Sequence, residues 1–291
     1  MTPVVIEVAI NGATTRERNP HVPLSLEEIV ASVDACVAAG ASVVHMHAGA
    51  PVVGGAQRHP PEPYVEAFRA CLARHPGLLM YPTLSGGGPG TAIAERYAHL
   101  EALRAAGLLR LAPIDPGTMN YGVRDAAGAP PAHDAVYVNT FGDVDGAFRH
   151  CRAHGLGCTM SIFEPGFLQL VLAHRDAGSL PSASILKFEF AAGRRLFGMP
   201  PRPESLAAYL AMLGPQALPW MVAVRDGDAG ATLAREAIVR GGHVRVGIED
   251  YGGPRRPRND ELVAEVAAIA HDAGRRPATP AEAAAIIGLG S

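Results

Sequence analysis

Short apolar runs alternate with longer amphipathic segments from one end of this chain to the other. Short apolar or β-branched runs are typical of buried strands, and segments with apolar residues every three or four positions are typical of helices. The pattern predicts strands at 4–9, 42–47, 78–84, 109–114, 157–162, 184–190, 218–224 and 243–248. It predicts helices at 26–39, 63–74, 93–106, 143–154, 168–177, 204–213, 230–240 and 261–273.

Strands that alternate with helices in this way indicate a parallel sheet, because each helix returns the chain to start the next strand in the same direction. Eight such strands close a barrel. We therefore predict an α/β protein with a single (β/α)₈ TIM barrel, one domain over residues 1–291. Boundary residues agree with this division: Ser25 and Glu28 have capping-box spacing, and Gly40 marks a helix end.

Two segments interrupt the alternation, at 115–134 and at 193–203. The first is rich in Gly and Pro, and the second contains the sequence GRRLFGMPP. Both follow predicted strands. We therefore expect both at the carboxyl ends of the strands, where barrel enzymes hold their catalytic residues.

Charge and cysteine content narrow the class of partner. The formal net charge of -3 offers no basic field for nucleic acid, and no block of Lys and Arg suggests a membrane surface. The first ten residues lack the features of a signal peptide, and no apolar run approaches the roughly 18 residues of a membrane span. The cysteines, at positions 36, 71, 151 and 158, form no CxxC pair. We expect a reduced, cytoplasmic protein that acts on small molecules, with no nucleic acid and no membrane partner.

Two histidines share one face of the second predicted strand. Successive strand residues point to opposite faces, so His45 and His47 project the same way. The same parity groups four positions near the last strand: His243, Arg245, Gly247 and Glu249. Burying several titratable groups costs several kcal/mol unless they pair or bind something. In a closed barrel the eighth strand neighbours the first, which neighbours the second, so a divalent metal bound by His45, His47 and Glu249 would satisfy them.

Imidazole and carboxylate ligands suit Zn²⁺, which keeps an open position at catalytic sites. The alternative is that both histidines only form hydrogen bonds inside the barrel. Asp250 follows the proposed ligand and is a candidate base, with Arg245 holding that carboxylate or a substrate anion. A purely structural Arg245–Asp250 ion pair is the other interpretation.

Two further features carry possible chemistry. The segment from Thr83 to Gly88, TLSGGG, ends the third predicted strand and can direct N–H groups and hydroxyls at an anion. Gly-rich turns after strands are common, so this pattern alone is weak. Lys187 is the only lysine in the chain and shares a strand face with Glu189. A buried lysine permits a Schiff-base aldolase as a second interpretation.

Several motifs resemble the β-keto acid cleavage enzymes, of which the 3-keto-5-aminohexanoate cleavage enzyme is the named type. They are INGA at 10–13, VPLSLEEI at 22–29, AGASVVHMHA at 39–48, GGHVRVGIED at 241–250 and GRRPATPAEA at 274–283. The resemblance spans nearly the whole chain. It implies a zinc-dependent (β/α)₈ barrel, usually a homotetramer, that converts a β-keto acid and acetyl-CoA into acetoacetate and a new acyl-CoA.

The resemblance also implies roles for individual residues. It assigns the metal to His45, His47 and Glu249, and the catalytic Arg and Asp to Arg245 and Asp250. The family's carboxylate-binding loop falls on residues Thr83 to Gly87. One residue is inserted there, so either Thr83 or Ser85 takes the part of the family's serine, beside Gly86 and Gly87.

The chain also departs from the family pattern. Thr14 and Ser161 replace acidic residues, strand four reads Pro113-Ile114-Asp115, and strand six is followed by Gly193-Arg194-Arg195 in place of a Gly-rich loop. Loss of the acids suggests a neutral or anionic substrate tail in place of an ammonium group, with Arg194 or Arg195 as its partner. Three alternatives stay open: a metal-dependent hydrolase, the Lys187 aldolase, and a metabolite-binding barrel without catalysis.

Overall fold

The computed structural model describes residues 1–12, 14–48, 59–86, 92–133, 135–215 and 218–290. Eight parallel strands form one sheet: β1 (Ile6–Ala9), β2 (Val43–Met46), β3 (Leu79–Pro82), β4 (Leu111–Ile114), β5 (Gly157–Ile162), β6 (Ser184–Ala191), β7 (Trp220–Arg225) and β8 (His243–Val246). Their order is β3-β2-β1-β8-β7-β6-β5-β4. The end strands β3 and β4 pack side by side, so the sheet curls into a nearly closed TIM barrel. The predicted fold is confirmed, including the position of β1 between β8 and β2.

The helices lie between the strands and after the last of them. They are α1 (Leu26–Ala39), α2 (Pro61–Arg74), α3 (Ile93–Arg96), α4 (Ala98–Ala105), α5 (Phe141–His154), α6 (Pro165–Asp176), α7 (Pro203–Leu213), α8 (Ala229–Thr232), α9 (Ala234–Val239), α10 (Asn259–Asp272) and α11 (Pro280–Ile287). The single helices predicted at 93–106 and 230–240 were wrong, because each is interrupted, at Tyr97 and Leu233. A one-residue break leaves the apolar period almost unchanged, so the pattern does not report it. No helix in the described ranges combines the length and the apolar character that crossing a membrane requires.

Side chains inside the barrel form an apolar floor below a polar layer. The floor contains Val5, Val43, Leu79, Leu111, Ile185 and Met221, together with Ala283, Ala284 and Ile287 of α11. Helix α11 therefore closes the amino-terminal end of the barrel. It begins at a capping box between Thr279 and Glu282, which the sequence analysis did not assign to a helix. Above this floor the interior contains buried charged side chains, among them Glu7, Lys187 and Arg245.

The predicted strand 243–248 is two residues too long, because β8 ends at Val246. Gly247 has a φ of 138°, and a Cβ on it would lie 2.1 Å from the backbone oxygen of Ala9. Only glycine can turn the chain so close to β1. The turn continues as Asp250 and Tyr251 donate backbone hydrogen bonds to the Gly247 carbonyl, at 3.1 and 3.0 Å. Glu249 thus reaches the barrel mouth from a turn.

The two segments that interrupt the alternation are joined to each other. Met119–Asn120 and Val136–Tyr137 form an antiparallel pair, and an antiparallel bridge joins Val123 to Arg195. The Arg124 amide donates to the carbonyl of Arg194 at 2.8 Å. Asp134, the last residue of the first segment, lies outside the described residues. The loops after β4 and β6 therefore form one connected structure at the carboxyl ends of these strands.

Candidate metal centre and active site

The structure brings His45, His47 and Glu249 together at the carboxyl ends of β2 and β8. The Nε2 atom of His45 lies 3.1 Å from Oε2 of Glu249, and Nε2 of His47 lies 3.8 Å from Oε1. One ligand atom from each residue can be chosen so that all three lie within 4.8 Å of one another. Both histidines are buried, and the Glu249 side chain is 12% exposed. These residues form a possible metal-binding triad.

The donor atoms of the triad are better placed to bind a metal ion than to form hydrogen bonds with one another. Within the described residues, neither buried ring nitrogen of His47 has a hydrogen-bond partner. Oε2 of Glu249 is buried between His45 Nε2 and Arg245 Nη2, at 3.1 and 3.3 Å. Buried polar atoms in proteins are normally paired. Burial lowers the pKa of His47 to about 3, which keeps the imidazole neutral, the form that binds metals. Burial alone would raise the pKa of Glu249. The charges of His45 and Arg245 outweigh this effect and hold the pKa of Glu249 well below its usual value.

Three polar side chains fix the backbone of the triad. The Asn11 side chain accepts from the His47 amide and donates to the His47 carbonyl, each at 2.8 Å. The side chain of Asn259 accepts from the Ile248 amide at 2.9 Å, and Thr14 Oγ1 donates to the Ile248 carbonyl at 3.1 Å. Such supporting contacts set the orientation of metal ligands. Thr14, one of the departures from the family pattern, is therefore engaged in holding the turn that carries Glu249.

Gly12 gives a direct test of this packing. Its φ is 61°, and a Cβ on it would lie 2.2 Å from Cγ of Glu249. We expect Gly12→Ala to displace the Glu249 side chain and to weaken metal binding about 10- to 100-fold, the size of effect that supporting residues have.

Gly178 supplies the matched control for Gly12→Ala. It has a similar φ of 66° but no atom within 4 Å of the added Cβ. Gly178→Ala should therefore show only the backbone strain of about 1–2 kcal/mol and keep its metal. Metal titrations of the two variants test this expectation. Equal metal affinities would show that metal binding by Glu249 does not depend on the space beside Gly12.

Two arginines hold Asp250 beside the triad. Arg225 Nη1 donates to its Oδ1 at 2.6 Å, and Arg245 Nε donates to its Oδ2 at 2.7 Å. Arg225 also donates to Glu249 Oε1 at 2.9 Å and to Glu189 at 2.8 Å. The predicted Arg245–Asp250 pair is thus present, and Arg225 was missed. Strand parity could have identified Arg225, because it shares the interior face of β7 with Met221. It lies one residue beyond the end of the predicted strand.

A second charged cluster lies below the triad. Lys187 Nζ donates to the Tyr81 hydroxyl at 2.7 Å and lies 3.2 Å from Glu7 Oε1, and Tyr81 donates to the same carboxylate. Arg245 Nη1 contacts both Glu7 and Tyr81 at 3.0 Å. Burial raises the pKa of Glu7, but Lys187 and Arg245 outweigh it and lower the value to about 2. Lys187 is 1% exposed and paired, so its placement favours a structural role over a Schiff base.

The loop after β3 is held by the helices that follow it. His99 Nε2 lies 2.7 Å from the Thr83 carbonyl, and the buried Arg96 donates from Nε to the Ser85 carbonyl at 3.1 Å. Thr83 Oγ1 contacts the Leu84 carbonyl at 3.3 Å. The Ser85 hydroxyl is buried, and no described residue forms a hydrogen bond with it. Gly86 is described, whereas Gly87 lies outside the described residues.

The fold and this cluster define a TIM-barrel chain with a candidate metal triad at the carboxyl ends of its strands. A family model described as beta-keto acid cleavage enzyme matches residues 3–289, and the chain belongs to that family. The chain is 29% identical over 297 residues to the 3-keto-5-aminohexanoate cleavage enzyme of Fusobacterium nucleatum, covering 99% of each chain. It is 31% identical over 304 residues to the 3-oxoadipate:acetyl-CoA acetyltransferase of Cupriavidus necator, covering 99% of this chain and 96% of that one.

A solved structure also has a similar fold. The ternary complex of ObcA with a C4-CoA adduct and oxalate gives a TM-score of 0.67, at 18% identity. The match covers 93% of this chain and 68% of that one. At this identity the similarity concerns the fold alone, and it agrees with the barrel topology described above.

Proposed function

We propose that this protein is a zinc-dependent β-keto acid cleavage enzyme that converts a β-keto acid and acetyl-CoA into acetoacetate and a new acyl-CoA. The observation that carries the proposal is the position of Asp250, oriented by two arginines, directly beside the His45, His47 and Glu249 triad. Family membership supports the reaction class. The name of the Cupriavidus necator relative supports acetyl-CoA as the cosubstrate.

Two imidazoles and one carboxylate form a donor set that suits Zn²⁺ and leaves a coordination position for substrate. When bound, the ion would polarise the β-keto carbonyl and make the protons on the neighbouring C2 carbon more acidic. The roles of the chain's own residues follow from the contacts around that position. Arg225 and Arg245 hold the Asp250 carboxylate in place by donating to both of its oxygens.

Asp250 is the proposed proton carrier. Carbon balance requires that acetoacetate contain C1 and C2 of the β-keto acid together with the acetyl group. Asp250 accepts a proton from C2, and C2 then forms a bond with the acetyl carbonyl carbon while the CoA thiolate leaves. The thiolate attacks C3, the C2–C3 bond breaks, and the proton on Asp250 returns to C2. General base catalysis of this kind contributes roughly 10²- to 10⁴-fold to a rate.

The loop after β3 is the proposed site for the C1 carboxylate of the substrate. Ser85 is favoured over Thr83 because its buried hydroxyl has no hydrogen-bond partner among the described residues, whereas Thr83 Oγ1 already contacts the Leu84 carbonyl. The N–H groups of Gly86 and Gly87 would complete the contact. Arg96 holds the backbone of this loop and also donates from Nη1 to the Val138 carbonyl at 3.0 Å.

Isotope tracing tests the reaction. Purified protein is incubated with acetyl-CoA labelled at both acetyl carbons and with a panel of β-keto acids. The proposal predicts label at C3 and C4 of acetoacetate and an unlabelled new acyl-CoA. Free labelled acetate would instead indicate a metal-dependent hydrolase, and binding without product would indicate a metabolite-binding barrel. Borohydride trapping with substrate would detect an imine on Lys187.

The oligomeric state and the compartment stay predictions. The homotetramer is implied by resemblance, and light scattering on the purified protein measures it directly. The four cysteines are free and buried, which agrees with the expected reducing, cytoplasmic setting.

A further inference from the structure

We propose that Arg195 binds a second carboxylate at the far end of the β-keto acid, so that the substrate class is dicarboxylic β-keto acids. The inference deepens the proposed function and rests on it. Of the two arginines that the sequence singled out, the structure favours Arg195, because its side chain is 20% exposed and packed at the barrel mouth. Arg194 is exposed, and the described part of the chain gives its side chain no partner.

The surroundings of the Arg195 guanidinium favour the binding of an anion. Its Cζ atom lies 5.9 Å from the ring centre of Tyr121 and 5.6 Å from that of Phe197. Nη1 donates to the Tyr121 hydroxyl at 3.1 Å. Its Nε is buried and has no hydrogen-bond partner among the residues that the structure describes. A fixed guanidinium with an unused donor beside aromatic rings is suited to a planar carboxylate.

The neighbouring acid, Asp226, is shared between Arg195 and Arg18. Asp226 Oδ2 lies 3.8 Å from Arg195 Nε, too far for a hydrogen bond. Asp226 Oδ1 accepts from Arg18 at 2.7 Å. One carboxylate therefore faces two guanidinium groups, and a local positive charge is left for a ligand.

An aromatic layer joins Arg195 to the metal centre. Phe197 contacts the Phe163 ring at 5.6 Å between centroids, and Arg225 Cζ lies 5.9 Å from the Phe163 ring centre. Arg225 in turn contacts Glu249 and Asp250. In the proposed complex the apolar segment of the substrate runs along this layer, with its keto end at the triad and its far end at Arg195.

The backbone around Arg195 is fixed from two sides. The Leu196 amide donates to the Gly122 carbonyl at 3.2 Å, next to the bridge between Val123 and Arg195. Asp226 has a φ of 57°, an uncommon conformation for a residue other than glycine. Such strain is typical of functional sites. Asp226 and Arg195 thus face each other from the segments that follow β7 and β6.

Kinetics with matched substrates test the assignment. The pair is 3-oxoadipate and 3-oxohexanoate, which have equal chain length and differ in the terminal carboxylate. We expect Arg195→Met to lower kcat/KM for 3-oxoadipate about 10- to 100-fold, the range for a hydrogen bond to a charged group. The methionine keeps the apolar packing, so 3-oxohexanoate should change by less than about twofold. Arg194→Met is the matched control and should alter neither value.

Two other kinetic outcomes would overturn the assignment. An equal loss for both acids would indicate a structural role for Arg195. A raised KM for acetyl-CoA alone would assign the arginine to the phosphates of CoA. If wild-type protein turns over neither acid, isotope tracing over the panel decides the proposed reaction, and calorimetry with adipate and hexanoate decides the binding site separately. Arg195→Met should weaken adipate binding and leave hexanoate binding unchanged, and equal adipate affinity in both proteins would refute the site.

Discussion

His47→Ala is expected to remove the metal from the purified protein and to lower turnover by roughly a thousandfold or more. The imidazole of His47 is buried, and in the described part of the chain neither nitrogen has a hydrogen-bond partner. Its removal therefore takes away one of three donors and breaks no hydrogen bond that the structure describes. Loss of a metal that supplies several kcal/mol of charge stabilisation corresponds to a rate effect of this size. Metal analysis and acetoacetate formation on the same preparation measure both effects.

His59→Ala is the control for this experiment. The ring of His59 lies 6.2 Å from the His47 ring and is also buried, but its Nδ1 contacts the Tyr64 hydroxyl at 3.1 Å. We expect this variant to keep its metal. If His47→Ala kept a full metal complement, or if both variants lost it equally, the triad would not be the metal site.

Asp250→Asn is expected to keep the metal and to lose about 10²- to 10⁴-fold in turnover, the range for removal of a general base. An amide cannot accept the C2 proton. Its NH₂ group would also face the donors of Arg225 or Arg245, which contact both oxygens of the wild-type carboxylate. The direct readout is exchange of the substrate C2 protons with deuterium oxide, measured above the spontaneous rate and without acetyl-CoA.

Two results would contradict this role for Asp250. Retained turnover with a retained metal would remove it as the base. Normal C2 exchange with lost turnover would place its role after proton removal. Asp176→Asn, an exposed change on α6, serves as the control and should leave exchange and turnover unaltered.

The positions of two residues at this site follow directly from the alternation of side chains along a strand. His45 and Arg245 face the barrel interior because they lie within regular strands, and the order of the strands brings them together. Glu249 was correctly grouped with the histidines, but by continuing the strand beyond its end. Its position depends on the turn at Gly247, where a close approach to Ala9 determines the backbone. Periodicity does not encode such a turn.

Other parts of the site depend on contacts between distant segments. Strand parity places Arg225 inside the barrel. Its role, however, depends on Glu189, Glu249 and Asp250 all lying within reach. The sequence shows Glu7 as a charged residue within an apolar run. Its partners come from three other strands, so the local sequence does not identify them. The choice between Thr83 and Ser85 depends on loop backbone held by Arg96, which the local sequence does not report.

The most direct test of the central claim is a zinc titration of chelator-treated protein, with bound metal and acetyl-CoA-dependent acetoacetate formation measured on each sample. The account predicts that activity rises in proportion to bound zinc and reaches its maximum at about one ion per chain, the capacity of a single triad. Activity that is independent of bound metal would contradict it.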